Sequence, residues 1–297
     1  MERWEKEYLI SRISCGYIIY QDLKIRFPSA KVKYYLNKVA YDCIQSCKSE
    51  GILTKDELLA LMIQSGRWSP TEDKRLEELD KALDDLRVDL YKNWFRVSNR
   101  KRIKELIGRV ELESIILLNK KHEFDYVSCE GIANYVKMNH FIEKCTYQHG
   151  KLYDWSEYQP EYILDVFYNS MLGDNSLREL ARTEPWANIF SCTKKPFTRR
   201  TEDLTDEQIR LILWTKMYNS VKEHPECPSD DILEDNDAID GWNIMQRRTR
   251  ESKQKTNQIE SSLSDKIANA QEIFIPVSSA EEAKSVYSLN NPAYKIS

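Results

Sequence analysis

The amino-acid sequence predicts a mainly α-helical protein: a helical bundle with a long antiparallel helical hairpin, minor β structure near residues 17–27 and an extended C-terminal arm. The 297-residue chain contains only 8 Gly and 9 Pro. That is too few for a sheet protein, which needs a turn signal about every 8–12 residues. Apolar residues recur at helical spacing along most of the chain, and several segments begin with residues that cap helices.

Residues 1–66 are predicted to form an N-terminal helical subdomain. A short first helix is followed by the segment "GYIIYQDLKIRF", whose β-branched and aromatic residues favour a hairpin or an extended piece. Pro28 begins the next helix. Thr54 and Glu57 form the capping box of a third helix, so this region is expected to contain helices around one small β element.

Residues 67–122 are predicted to form the long helical hairpin. Ser69 is a good N-cap, Pro70 suits the first helical position, and Glu72 completes a capping box. Leucines then follow with gaps of 3, 4, 3 and 4 residues, which is the spacing of a coiled-coil seam. They are Leu76, Leu79, Leu83, Leu86 and Leu90. No helix breaker occurs before Ser98, which predicts one helix of roughly 27 residues, about 40 Å long.

A basic turn, "SNRKR", is predicted to join this helix to a second one that ends near Lys121. One side of the second helix is apolar, with Ile103, Leu106, Ile107, Val110 and Leu117 at helical spacing. The two helices are expected to pack antiparallel. The cations near the turn are the candidates for a phosphate contact, with a solvated turn as the alternative interpretation. These cations are Arg100, Lys101, Arg102 and Lys104.

The start of the hairpin, "GRWSPTED", resembles the opening of a Myb repeat, a DNA-reading module of three short helices around three tryptophans. In this chain the next tryptophan after Trp68 is Trp94, and no turn interrupts the leucine run between them. An aromatic anchor, an N-cap, a proline and acids are also what any well-capped helix contains. The segment therefore predicts a capped hairpin helix anchored by Trp68, and a Myb-like nucleic-acid-binding regulator remains the alternative.

Net charge also argues against nucleic acid as a partner. The chain carries a formal net charge of −4, whereas general nucleic-acid binders usually neutralise phosphates with a clear basic excess. The N-terminal "MERWEKEYLI" has charges where a signal peptide would need an apolar core, and no run of about 18 apolar residues occurs. These features predict no membrane contact and a location in a reducing cytoplasm.

Residues 123–225 are predicted to form a C-terminal helical subdomain, and residues 226–297 a partner-binding arm with no core of its own. Residues 226–241 contain seven acids and no base, and residues 242–258 contain five bases and one acid. An acidic, aromatic segment before a basic helix suits docking onto another protein, with a solvated loop and exposed helix as the alternative. A truncation before Pro228 is expected to leave a folded body.

The arm supplies the candidate partner-binding residues. A first group combines an aromatic anchor, two apolar side chains and three arginines, and comprises Trp242, Ile244, Met245, Arg247, Arg248 and Arg250. A second group could add a strand to the edge of a partner's sheet, and comprises Ile273, Phe274 and Ile275.

The sequence contains no pattern that predicts catalysis or a cofactor. It has no P-loop, no Gly-rich nucleotide fingerprint, no G-x-S-x-G and no H-E-x-x-H. Its seven Cys include no C-x-x-C pair, which predicts neither a disulfide framework nor a zinc ribbon. Cys145 and His149 could offer two metal ligands, but no matching pair stands nearby in sequence. We therefore expect no enzyme activity, no cofactor and no metal, with Cys43, Cys47 and Cys145 packed as small hydrophobic residues.

The order of these features, and above all the segments "GRWSPTED" and "DGWNIMQRR", resembles proteins carried by large tailed bacteriophages and associated with virion or tail assembly. The resemblance covers roughly residues 10–255. It implies a structural or assembly role through contacts with other virion or assembly proteins, homo-oligomers included, and it brings no catalytic residues. A host-cytoplasm or virion location follows from it, and a tail-assembly chaperone that never enters the particle is the nearest alternative.

Overall fold

A computed structural model of the chain describes residues 1–155, 157–193, 196–197 and 200–267. The described residues form twelve α-helices and one small antiparallel sheet, which confirms the predicted mainly α-helical class. The helices are α1 (Arg3–Cys15), α2 (Ala30–Ser49), α3 (Lys55–Gln64), α4 (Pro70–Lys92), α5 (Val97–Lys121), α6 (Cys129–Cys145), α7 (Pro160–Asn169), α8 (Asp174–Arg182), α9 (Trp186–Cys192), α10 (Asp206–Lys222), α11 (Asp230–Glu234) and α12 (Asn236–Ile267). The strands are β1 (Tyr17–Tyr20), β2 (Leu23–Arg26), β3 (Thr146–Gln148) and β4 (Lys151–Leu152).

The helical hairpin is formed by α4 and α5. Both halves of the predicted capping box are present at the start of α4, with Pro70 in its first turn. The Nε of Arg75 donates to the Oε1 of Glu113 at 2.8 Å, and the Nζ of Lys121 donates to the Oδ1 of Asp73 at 2.8 Å. These bonds join the start of α4 to the end of α5, so the two helices run antiparallel as predicted.

The turn of the hairpin lies earlier than the sequence predicted. Helix α4 ends at Lys92 and α5 begins at Val97. Trp94 is buried between them, beside Leu90 and Ile103, and the Asn93 side-chain amide donates to the Asp89 carbonyl oxygen at 3.0 Å. The chain therefore turns where an aromatic side chain enters the core, and the predicted basic turn is in fact the first part of α5.

Trp68 lies at the junction between α3 and the hairpin and is almost fully buried. Its backbone N–H donates to the Met62 carbonyl oxygen at 3.2 Å, and its indole Nε1 donates to the Oδ2 of Asp73 at 3.1 Å. The ring is thus fixed both to the end of α3 and to the first turn of α4. Helix α4 has 23 residues, and no break divides it into the short helices of a Myb repeat.

The sheet has the strand order β1-β2-β3-β4, and all neighbours are antiparallel. The hairpin of β1 and β2 confirms the β structure expected near residues 17–27. Leu23 pairs with Gln148 in β3, and no local sequence pattern predicts the two later strands. The sheet buries Ile18 and Ile25 against α2, α6 and α7, so it joins the N-terminal region to the middle of the chain.

The expectation of an arm without a core of its own is wrong for residues 230–244. Ile239 and Trp242 are buried in the cluster formed with α1, α8 and α10, and Ala238 is buried in the cluster of the helical hairpin. Helix α12 runs antiparallel to α4. Asp237 pairs with Arg87, whereas Arg248, which comes later in α12, pairs with Asp85, which comes earlier in α4. The acidic segment alternates charged and apolar residues because one of its faces closes the core of the body.

Candidate functional site

Helix α12 carries the first group of predicted partner-binding residues, and its first turns are held by a buried arginine. The guanidinium of Arg178 donates to both carboxylate oxygens of Asp240, at 2.7 and 2.9 Å, and to the Tyr218 hydroxyl oxygen at 3.2 Å. The Arg178 side chain is only 7% exposed. Arg182 donates to the Oδ1 of Asn236 at 2.8 Å. Two arginines of α8 therefore fix the start of α12 to the body.

Burial acts to lower the pKa of Arg178, but its hydrogen bonds with Asp240 hold that pKa above its ordinary value. The guanidinium is thus a permanent charge, and both oxygens of the facing carboxylate are satisfied. A bidentate pair of this kind defines a geometry, because losing Asp240 would leave the buried Arg178 charge uncompensated. The pair of Arg178 and Asp240 therefore acts as a structural clamp that holds α12 to the body.

The predicted partner-binding residues fall into three environments. Trp242 and Ile244 are only 3% and 8% exposed. They belong to the protein's own core, which corrects the prediction that they contact a partner, and Met245 packs against the same core. Arg247 and Arg248 pair with Asp84 and Asp85 of α4. Arg250 is exposed and has no charged partner within the described residues. Ile273, Phe274 and Ile275 lie outside the described residues.

A groove of about 330 Å³ lies between α12 and the end of α10. It brings three of the predicted residues together, because Trp242 lies in its wall and Arg247 and Arg250 lie along α12. Met217 and His224 also line the groove. No local pattern could have identified them, since α10 and α12 meet only through the tertiary fold.

The groove is lined by hydrogen-bond donors and acceptors, and Arg250 and Glu251 are neighbours on its α12 side. The His224 ring meets the Trp242 ring edge-on at 5.2 Å, and its Nδ1 accepts a hydrogen bond from the Glu226 backbone N–H at 3.1 Å. The Trp242 indole Nε1 is buried and has no hydrogen-bond partner in the described part of the chain. Arg250 is a cation without a charged partner within the described residues, so the rim beside it favours negative charge on whatever contacts it.

The candidate phosphate contacts are divided by the fold. The Arg100 guanidinium lies 4.8 Å from the centre of the Trp94 ring, and Lys104 forms an ion pair with Asp235. Lys101 and Arg102 are exposed on α5, and neither has a charged partner within the described ranges. Two of the four cations therefore stabilise the body, and two remain free to contact another molecule.

No group of three or more His, Cys, Asp and Glu residues within the described ranges is placed to hold a metal ion. Cys47, Cys129 and Cys145 are buried, and burial raises the pKa of the Cys145 thiol to about 11. No described helix combines the length and the apolar character that spanning a membrane would require. No protein-family model matches this chain, and no curated protein or solved structure shows significant similarity to it.

Proposed function

We propose that this chain is a non-enzymatic structural or assembly protein of a bacteriophage tail or virion, and that it contacts a neighbouring protein along α12. One observation carries the mode of action: α12 is a single helix of 32 residues whose first ten lie in the body. Its residues 247–255 are all exposed. The clamp of Arg178 on Asp240 gives this exposed segment a fixed direction, so a partner would meet a preorganised surface.

The charges on the exposed segment indicate the chemistry of the partner. Arg250, Lys253 and Lys255 are exposed and have no charged partner among the described residues. Cations of this kind steer an acidic surface toward the helix and determine its orientation more than they add affinity. An acidic protein surface is the partner that this arrangement fits.

The bacteriophage part of the proposal rests on the resemblance of the segments "GRWSPTED" and "DGWNIMQRR" to proteins of large tailed bacteriophages. Mass spectrometry of purified virions tests it directly. A structural component is expected in the particle at a constant copy number. Detection only in infected-cell lysate would identify the chain as an assembly chaperone, and detection in neither would refute the phage assignment.

The contact along α12 is tested by reversing its charges. Arg250→Glu with Lys253→Glu is expected to abolish incorporation into the particle, or co-purification with the neighbouring protein, because an acidic partner is then repelled. The matched control is Lys38→Glu with Lys144→Glu, which makes the same change of charge at exposed sites on α2 and α6. Circular dichroism should show both variants folded, and wild-type incorporation of the α12 variant would contradict the proposal.

A further inference from the structure

The glycines that lie inside helices show where another backbone comes close. A Cβ on Gly131 would lie 2.0 Å from the carbonyl oxygen of Asp125, and a Cβ on Gly241 would lie 1.9 Å from that of Arg87. At each position a side chain is excluded by a neighbouring segment of the same chain. Gly108, inside α5, differs, because a Cβ there would meet nothing within 4 Å among the described residues.

Nothing within the described residues therefore requires glycine at position 108. In an exposed helix interior, glycine is about 1 kcal/mol less favourable than alanine. Neither a positive φ nor a close contact in the described structure requires it. Glycine at such a position permits close approach of another backbone, and the other two helical glycines of this protein mark such approaches.

The next turns of α5 present an apolar face on the same side as Gly108. Leu112, Ile115 and Ile116 are 59%, 53% and 58% exposed. Residues four and seven or eight positions apart lie on one side of a helix, so all three continue the surface that begins at Gly108. The opposite side of α5 buries Ile103 and Ile107 in the body. Helix α5 thus has one covered and one uncovered apolar face.

We infer that this uncovered face of α5 is a self-association surface on which two copies of the chain pack antiparallel. The surface differs from the α12 segment, so the inference goes beyond the proposed function and does not depend on it. A contact from residue 103 to residue 121, the last residue of α5, would extend about 27 Å along the helix. The backbones would approach most closely near Gly108, where no side chain holds them apart.

A second copy is the occupant because the face is complementary to itself. With a two-fold axis at Leu112, residues whose numbers add up to 224 share a layer. Gly108 then lies beside Ile116 of the second copy, so the large Ile116 side chain packs where Gly108 has no side chain. Lys101 then lies opposite the turn that follows α5 in the second copy. That turn carries Glu123, and both residues are exposed without a charged partner within the described residues. The two-fold axis repeats each of these contacts, as an isologous interface requires.

Sedimentation equilibrium of the full chain tests the surface. The wild type is expected to be a dimer, and Ile116→Asp a folded monomer, because the replaced side chain is exposed in the single chain. Leu213→Asp is the matched control, since Leu213 is also 58% exposed but lies on α10. A wild type that stays monomeric at every concentration would overturn the inference. An Ile116→Asp variant that dimerises like the wild type would do the same.

Two further comparisons separate the interface from the fold. Gly108→Ala is expected to raise the thermal stability of the monomer and to weaken dimerisation about tenfold or more, because the added Cβ occupies the approach of the second copy. Lys101→Glu and Glu123→Lys should each weaken the dimer about fivefold, and the two together should restore wild-type affinity. Failure of the double variant to recover would exclude the antiparallel arrangement. The α12 variant Arg250→Glu with Lys253→Glu should remain dimeric.

Discussion

Gly241 shows how one residue determines the position of a whole element. It lies in α12 where that helix crosses α4, and a Cβ there would lie 1.9 Å from the Arg87 carbonyl oxygen. Such a separation is far inside van der Waals contact, and the opposing atom is backbone, which cannot rotate away as a side chain can. The absence of a side chain at this position is what allows α12 to join the body.

Gly241→Ala is therefore expected to destabilise the protein although alanine favours helices. Forcing α12 away from α4 should lower the free energy of unfolding by about 1–3 kcal/mol. Urea denaturation followed by circular dichroism measures the change. Gly108→Ala is the control, and in the monomer it should raise the free energy of unfolding by up to about 1 kcal/mol. An unchanged or higher stability of Gly241→Ala would show that α12 packs differently.

At the scale of elements, the hairpin of α4 and α5 is joined by charges at its open end. The hydrogen bond from Lys120 holds the pKa of Glu72 below its ordinary value, and the hydrogen bond from Lys121 does the same for Asp73. Arg75 likewise lowers the pKa of Glu113. All three carboxylates bind a proton less readily in the folded protein than in the unfolded chain.

The stability of the hairpin should consequently depend on pH in the acidic range. A carboxylate with a lowered folded pKa contributes its stability above the unfolded value, about 4.3 for Glu and 3.9 for Asp. That contribution is lost as pH falls below those values through the folded pKa, because the unfolded chain then binds more protons. Thermal melts between pH 6 and pH 2 are expected to show a falling melting temperature below about pH 4.3.

A double variant tests whether this acid sensitivity comes from the hairpin. Lys120→Met with Lys121→Met keeps the aliphatic stems but removes both cations that pair with Glu72 and Asp73. The fall in melting temperature below about pH 4.3 should become shallower. Lys74→Met, at an exposed position of α4 without a charged partner among the described residues, should leave the profile unchanged. An identical profile in the double variant would place the sensitivity elsewhere in the molecule.

At the scale of the whole molecule, α11 and α12 connect two of the three buried clusters that the described residues form. Leu233 and Trp242 belong to the cluster built on α1, α8 and α10, and Ile232 and Ala238 belong to the cluster of the hairpin. The segment that the sequence analysis assigned to an arm therefore joins the hairpin to the C-terminal helices. Its removal would open both clusters at once.

Ending the chain at residue 227 is expected to abolish cooperative thermal unfolding. Removing a single large buried apolar side chain costs about 2–5 kcal/mol, and native proteins are stable by only about 5–15 kcal/mol in total. The truncation removes six buried apolar side chains, Ile232, Leu233, Ala238, Ile239, Trp242 and Ile244. A chain that ends at residue 258 keeps all of them and should still melt cooperatively. A sharp, wild-type transition in the shorter chain would restore the original arm interpretation.

The sequence alone determined most of the local structure. Capping boxes at Thr54 and Ser69 and the leucine spacing after Pro70 predicted where α3 and α4 begin and that α4 packs along a partner helix. These signals act over three or four residues, so they can be recognised without knowledge of the rest of the fold. The site was predicted in part, since Arg247 and Arg250 do lie on one helix beside a groove.

Only the tertiary structure decided which faces are covered. Strand β3, the burial of Trp242 and the pair of Arg178 with Asp240 each depend on contacts between distant segments. An apolar residue beside acids looks the same in sequence whether it faces a partner or its own core, because burial is a property of what packs against it. The same reason separates the two faces of α5, where identical residue types are buried on one side and exposed on the other.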